Sequence, residues 1–159
     1  MLRQKRTRKQ KRHRRHTRKG GQNLNLIVRY GSTHVSGQEL SKQETQVQPA
    51  VQFTPIPGKL YTLIMWDPDV PQKIQPGFVH WIVTNIQSPK NIPSNILLEY
   101  KGPSPPSGTH RYFFGLFEQL SGHISPAVPP NTRFSIEQFT KDNNLKEVAK
   151  VFMKVSASV

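Results

Sequence analysis

Residues 61–71, YTLIMWDPDVP, constrain this chain more than any other stretch, because an apolar run ends there in two carboxylates interleaved with prolines. Along residues 60–66, Tyr61, Leu63 and Met65 alternate with Thr62, Ile64 and Trp66, and both sets are largely apolar. A strand apolar on both sides is covered on both sides, so it is expected at the centre of a sheet and not at its edge. Pro68 and Pro71 then stop it, since proline has no N–H for the ladder and forces its predecessor toward extended or turn backbone. Asp67 and Asp69 are thereby placed at the mouth of a buried strand. On this stretch alone they read first as turn formers, which Asp often is.

Two further stretches carry a histidine each. In FVHWIVTN, residues 78–85, the strand period of two groups Phe78, His80 and Ile82; in GTHRYFFGLFEQ, residues 108–119, it groups His110, Tyr112 and Phe114. Each puts one histidine on an otherwise apolar face. The same parity turns Arg111 to the face opposite His110, where pairing with Asp69 would fix the loop that carries Asp67.

Taken in order, DPDVP at residues 67–71, the strand with His80, and GPSPPSGTHRYFFGLFEQ at residues 102–119 resemble the motifs of the phosphatidylethanolamine-binding protein (PEBP) family. That family includes Raf kinase inhibitor proteins and plant flowering-time regulators. The resemblance covers the chain from about Leu24 onward. It implies a mainly β, PEBP-like sandwich with one or two short helices, and one small pocket on a non-enzymatic binding module. Carried over by position, Asp67 is the first Asp of the DPDxP motif, His80 the histidine of the second motif, and His110 and Tyr112 those of GxHRY, with Val70, Pro71 and Pro103 along the rim. The implied partners are a phosphate-bearing small ligand or phospholipid head group, and a protein kinase or other signalling protein.

Such a pocket suits an anion, because a protonated histidine donates from both nitrogens and tyrosine adds another donor. An anionic Asp67 repels phosphate unless a histidine, a ligand ammonium or its own protonation intervenes. A zwitterionic phosphoethanolamine head supplies both signs. The chain departs from the family at Val79, where many members have a second histidine, and it stops soon after the last expected strand. The C-terminal helix that covers the pocket in animal members is therefore expected to be missing and the site to be more open. Kinase inhibition depends on surface features of particular members and does not transfer with these motifs.

Chemistry of other kinds finds little support. Two histidines and a carboxylate suit zinc, but no HExxH or His-x-His pattern occurs, and with no cysteine there are neither thiolate ligands nor disulfides. Ser104 and Ser107 lie near His110, yet neither sits in a G-x-S-x-G elbow. No catalytic residue, metal or cofactor is expected.

The net charge of +14 is concentrated at one end: residues 1–19 hold 11 of the 23 Lys and Arg and no acidic residue, leaving 12 basic against 9 acidic, or +3. Such a block buries almost nothing and repels itself, so residues 1–22 are expected to be a disordered basic arm, with Gly20 and Gly21 as its hinge, before a domain over residues 23–159. Three roles stay open for the arm: nucleic-acid binding or nuclear entry, attachment to an anionic membrane surface, and solubility alone. Accordingly two alternatives stand beside the pocket reading. In one the pocket is vestigial and the arm works; in the other the protein inhibits a protease or kinase through its surface. With no apolar run of about 20 residues and no signal-like segment, the expected location is cytoplasmic or nuclear.

Elsewhere, alternation predicts a first strand ending at Tyr30, a weak strand near residues 47–53, a short strand or extended segment over residues 95–100 and a last strand over residues 151–155. Ser135, three residues before Gln138, predicts an N-cap for a helix over residues 136–141. Ile136, Phe139, Leu145 and Val148 read as one apolar face at helical spacing.

Overall fold

The computed structural model describes residues 24–71, 76–127 and 132–157; the basic arm lies outside them. In chain order the elements are β1 (Ile27–Tyr30), β2 (Thr33–His34), β3 (Ala50–Gln52), β4 (Tyr61–Asp67), β5 (Phe78–Ile86), a 3-10 turn (Pro89–Ser94), β6 (Ile96–Leu98), β7 (Thr109–Gln119), α1 (Ile136–Asp142) and β8 (Leu145–Ser156). They form two antiparallel sheets, of order β6-β5-β4-β7-β8 and β2-β1-β3. The fold is mainly β, and β4 is the central strand of the larger sheet, as its two apolar faces require.

Both faces of that sheet are covered. On the inner face Tyr61, Leu63 and Met65 of β4 pack with Trp81, Tyr112 and Phe114 against Val28, Tyr30 and Val51 of the small sheet. On the outer face Ile64, Val79, Ile82 and Phe117 lie beneath Phe139 of α1. Fully burying each such side chain contributes about 1.5–3 kcal/mol, so β4 anchors two cores at once. The open edge of β8 is capped by backbone: Leu24 N–H donates to Val148 O (3.0 Å), Gly37 N–H to Phe152 O (2.7 Å) and Leu40 N–H to Lys154 O (2.9 Å). These bonds remove a row of unpaired edge groups. No helix among the described residues is long and apolar enough to cross a membrane.

Two expectations are corrected. Helix α1 starts where predicted, with the Ser135 hydroxyl accepting from Gln138 N–H (3.1 Å), but its apolar face ends at Phe139. Asn144, at φ +50°, takes the left-handed conformation that Asn tolerates and turns the chain, so Leu145 and Val148 belong to β8. Ile82, expected beside His80, lies on the other face. Met65 pairs with Trp81 and Trp66 with Val79, which leaves His80 as the extra residue of a β-bulge. One extra residue reverses the parity beyond it, so Phe78 and His80 face inward while Ile82 joins Val79 outside.

Candidate functional site

At the end of β4 the DPD turn is fastened to β7 on both faces. Asp67, the last residue of the strand, accepts the Asp69 N–H at Oδ1 (2.8 Å) and His110 Nδ1–H at Oδ2 (2.7 Å). Both members of the pair are buried, and burial pushes the Asp67 carboxyl above its usual range although the His110 hydrogen bond opposes that. One residue along β7, Arg111 turns outward. Its backbone N–H and Nε donate to Asp69 Oδ2 (2.8 Å each) and its Nη2 to Oδ1 (2.7 Å). Arg111 in turn holds the Asp69 carboxyl below the ordinary range. Strand parity at residues 110 and 111 thus gives one inner and one outer fastening.

The His80 bulge sets the second wall. His80 Nδ1 stands 2.7 Å from the Lys101 carbonyl oxygen, which only accepts, so Nδ1 carries the proton and Nε2 presents a lone pair. Lys101 N–H donates back to His80 O (2.8 Å), which docks the proline-rich loop on the bulge. The His80 pKa is lowered to about 4, chiefly by burial and in smaller part by the Lys101 charge, against the carbonyl bond that raises it. His80 is therefore neutral at neutral pH and acts as an acceptor, not as the double donor that a protonated ring would be. Tyr112 meets the His80 ring edge-on (5.2 Å between centroids). Burial first, and then the Asp67 carboxylate, raise its phenol well above the ordinary value, so it stays a donor.

These groups surround a cavity of about 360 Å³. Asp67, His80 and Tyr112 form its buried part, with Val70, Pro71 and Phe78 beside them. His110 is not on its lining: it stands behind Asp67 and holds it. Pro103, expected on the rim, is buried elsewhere, its carbonyl accepting from Gln46 Nε2 (2.9 Å), and Gly102, Ser104 and Pro106 form that wall instead. The sequence reading missed two cations at the mouth, Lys101 and Arg133. Lys101 lies with its Nζ 5.2 Å from the Phe78 ring centroid. Arg133 is brought in by its neighbour, since Thr132 O accepts Val79 N–H (2.7 Å). Proximity of Lys101 to the Gly102 motif was a usable signal; nothing local marked Arg133. Among the described residues no three His, Asp or Glu side chains converge as metal ligands.

Arg111→Ala tests the outer fastening. Because the two side chains are about 51% and 26% exposed, the expected loss is about 1 kcal/mol of unfolding free energy, with under a twofold change in affinity for a pocket ligand. Melting and binding assays that rank the two effects the other way would make Arg111 a ligand contact.

The comparisons with known proteins agree with this geometry. The family model described as phosphatidylethanolamine-binding protein matches residues 17–153. Protein FLOWERING LOCUS T of Arabidopsis thaliana is 35% identical over 139 residues, 81% of this chain and 78% of its own length. Among solved structures, the carboxypeptidase Y inhibitor complexed with its cognate proteinase is similar at TM-score 0.76 and 26% identity, covering 86% of this chain and 85% of that one. The phosphatidylethanolamine-binding protein of Plasmodium vivax shares the fold at TM-score 0.70 and 24% identity, covering 86% and 87%. With a family match over most of its length and the DPDVP and GTHRY motifs meeting at one pocket, the chain belongs to the phosphatidylethanolamine-binding protein family.

Proposed function

We propose that this protein is a non-enzymatic binding module whose pocket takes a small phosphate-bearing group, a phospholipid head group among them, and that it works as a lipid binder or signalling modulator. The observation that carries this reading is the sorting of polar groups in one cavity, with Asp67, the His80 Nε2 lone pair and the Tyr112 hydroxyl inside and Lys101 and Arg133 at the mouth. A zwitterion offers both signs to such a set, and His110 reduces the repulsion that Asp67 exerts on an anion. The domain is residues 23–159, preceded by a basic arm, and the expected location is the cytoplasm or nucleus.

Calorimetric titration with phosphoethanolamine and with inorganic phosphate tests the reading. Tyr112→Phe and Lys101→Ala are each expected to weaken phosphoethanolamine binding about tenfold, the worth of one hydrogen bond to a charged group. Absence of heat from the wild-type protein at millimolar ligand would overturn it. A second reading, inhibition of a proteinase through the outer surface, draws on the likeness to the carboxypeptidase Y inhibitor. Inhibition that persists in Tyr112→Phe would favour it.

A further inference from the structure

We propose that the pocket takes its ligand ammonium end first, with the phosphate left at the mouth, and so selects a primary ammonium on a short linker over phosphate alone and over quaternary head groups. This rests on the head-group reading above and adds which end enters. The inner end is built from acceptors. His80 Nδ1 donates to the Lys101 carbonyl oxygen (2.7 Å), which leaves Nε2 with a lone pair to offer. The Asp67 carboxylate takes the Asp69 N–H at Oδ1 and His110 Nδ1–H at Oδ2, one donor for each oxygen, and each oxygen keeps a second lone pair. Both residues line the cavity while being almost fully buried. Of the three polar side chains at that end, only Tyr112 donates. A phosphate placed there meets a carboxylate and an imine nitrogen, and its own oxygens are acceptors too, so it loses hydration and regains little. A primary ammonium brings three N–H donors and the charge opposite to that of the carboxylate.

The mouth is built the other way. Lys101 and Arg133 line it, and the Lys101 ammonium lies 5.2 Å from the centroid of Phe78, two residues before His80 on β5. Val70, Pro71 and Phe78 supply apolar lining, which suits a short alkyl linker. Polarity therefore runs from acceptors inside to cations outside, the complement of a molecule that enters with its positive end. Connectivity points the same way. In a phospholipid the phosphate carries the glycerol and its chains, whereas the ammonium is a free end. Entry by the ammonium keeps the ester outside, so the head group enters while still part of its lipid, and a phosphodiester is accommodated as readily as a monoester.

Calorimetric titration of the full chain at neutral pH in phosphate-free buffer tests the order of entry, with phosphoethanolamine, glycerophosphoethanolamine, phosphocholine and inorganic phosphate as probes. Phosphoethanolamine and its glycerol diester are expected to bind equally well. Phosphocholine, whose methyl groups remove every N–H, and inorganic phosphate are each expected to bind about tenfold more weakly or worse, the worth of one hydrogen bond to a charged group. Titration of the diester in two buffers of different ionisation enthalpy is expected to give the same heat, because a neutral His80 receives the ammonium without gaining a proton. The diester serves here because its phosphate has no proton to exchange near neutrality. Uptake of a proton on binding would set the phosphate against a protonated His80, overturning entry by the ammonium while leaving the head-group reading standing. Equal affinity for phosphocholine or for phosphate, or loss of binding in the diester, overturns it in the same way. No heat with any probe overturns both readings.

Discussion

Exchange of Gln119 for Leu is expected to lower the unfolding free energy by about 3–5 kcal/mol, the cost of stranding several buried polar groups at once. Gln119 is 3% exposed, and its carboxamide is fully used. Oε1 accepts from the Thr62 hydroxyl (2.9 Å) and Asn85 N–H (2.8 Å), and Nε2 donates to Asn85 Oδ1 (2.9 Å) and Gly122 O (2.7 Å). Leu has a similar volume, so packing is preserved while all four bonds go. Asn85 suffers most. It sits in a second bulge of β5 at φ +55°, a conformation that costs a non-glycine residue free energy and is held here by these bonds. Its side chain also brackets Ile124, accepting the N–H (2.9 Å) and donating to the carbonyl (2.8 Å). Denaturant unfolding and melting check the expectation, with a drop of about 10 °C for a domain of this size. A loss below about 1 kcal/mol would mean that water takes over the carboxamide's role.

Which of these features the sequence revealed follows from where the signal was local. The two apolar faces of β4 marked the centre of the sheet before any partner was known, because burial on both sides leaves its mark on one strand alone. Alternation in β7 separated His110 and Tyr112 from Arg111, since the polar residue between apolar ones fixed the phase. No such phase exists in FVHWIVTN, where both faces are apolar, so the pattern was compatible with either parity and gave no sign of the extra residue at His80. Leu145 and Val148 were misread for a related reason. Spacings of three residues, as from Ile136 to Phe139 and from Leu145 to Val148, suit a helix, but the Asn143-Asn144 turn breaks the period between Phe139 and Leu145. Pro103 and Arg133 depend on hydrogen bonds between residues far apart in sequence, from the Gln46 side chain to Pro103 O and from Val79 N–H to Thr132 O, and no local pattern records them. Gln119 stood at the end of a recognised motif, yet nothing in its neighbours announced that its amide would join β4, β5 and the segment after β7.

The bulge that hid the phase of β5 also makes His80 the source of the second large effect, a loss of stability on mild acidification. At pH 7 the ring is neutral in the folded and unfolded chain alike and contributes no pH dependence. As pH falls below about 6.5 the unfolded chain takes up a proton, whereas the folded ring, with its pKa lowered to about 4 by burial, does not. The unfolded state then binds more protons, so stability falls with pH, by up to about 3 kcal/mol on reaching pH 4. Two carboxylates titrate as well: Asp67, raised by burial, works in the opposite direction above about 3.9, and Asp69, lowered by Arg111, loses its contribution below that value. His80→Asn removes the titration while its amide still reaches the Lys101 carbonyl, so subtracting its stability curve from that of the wild type isolates the ring. A difference that falls from pH 6.5 to pH 4 keeps His80 as a neutral acceptor in the pocket. A flat difference would mean that the folded ring protonates as readily as the unfolded one. The pocket would then present a donor and a positive charge at mildly acidic pH, and phosphate alone would bind there more tightly as pH falls.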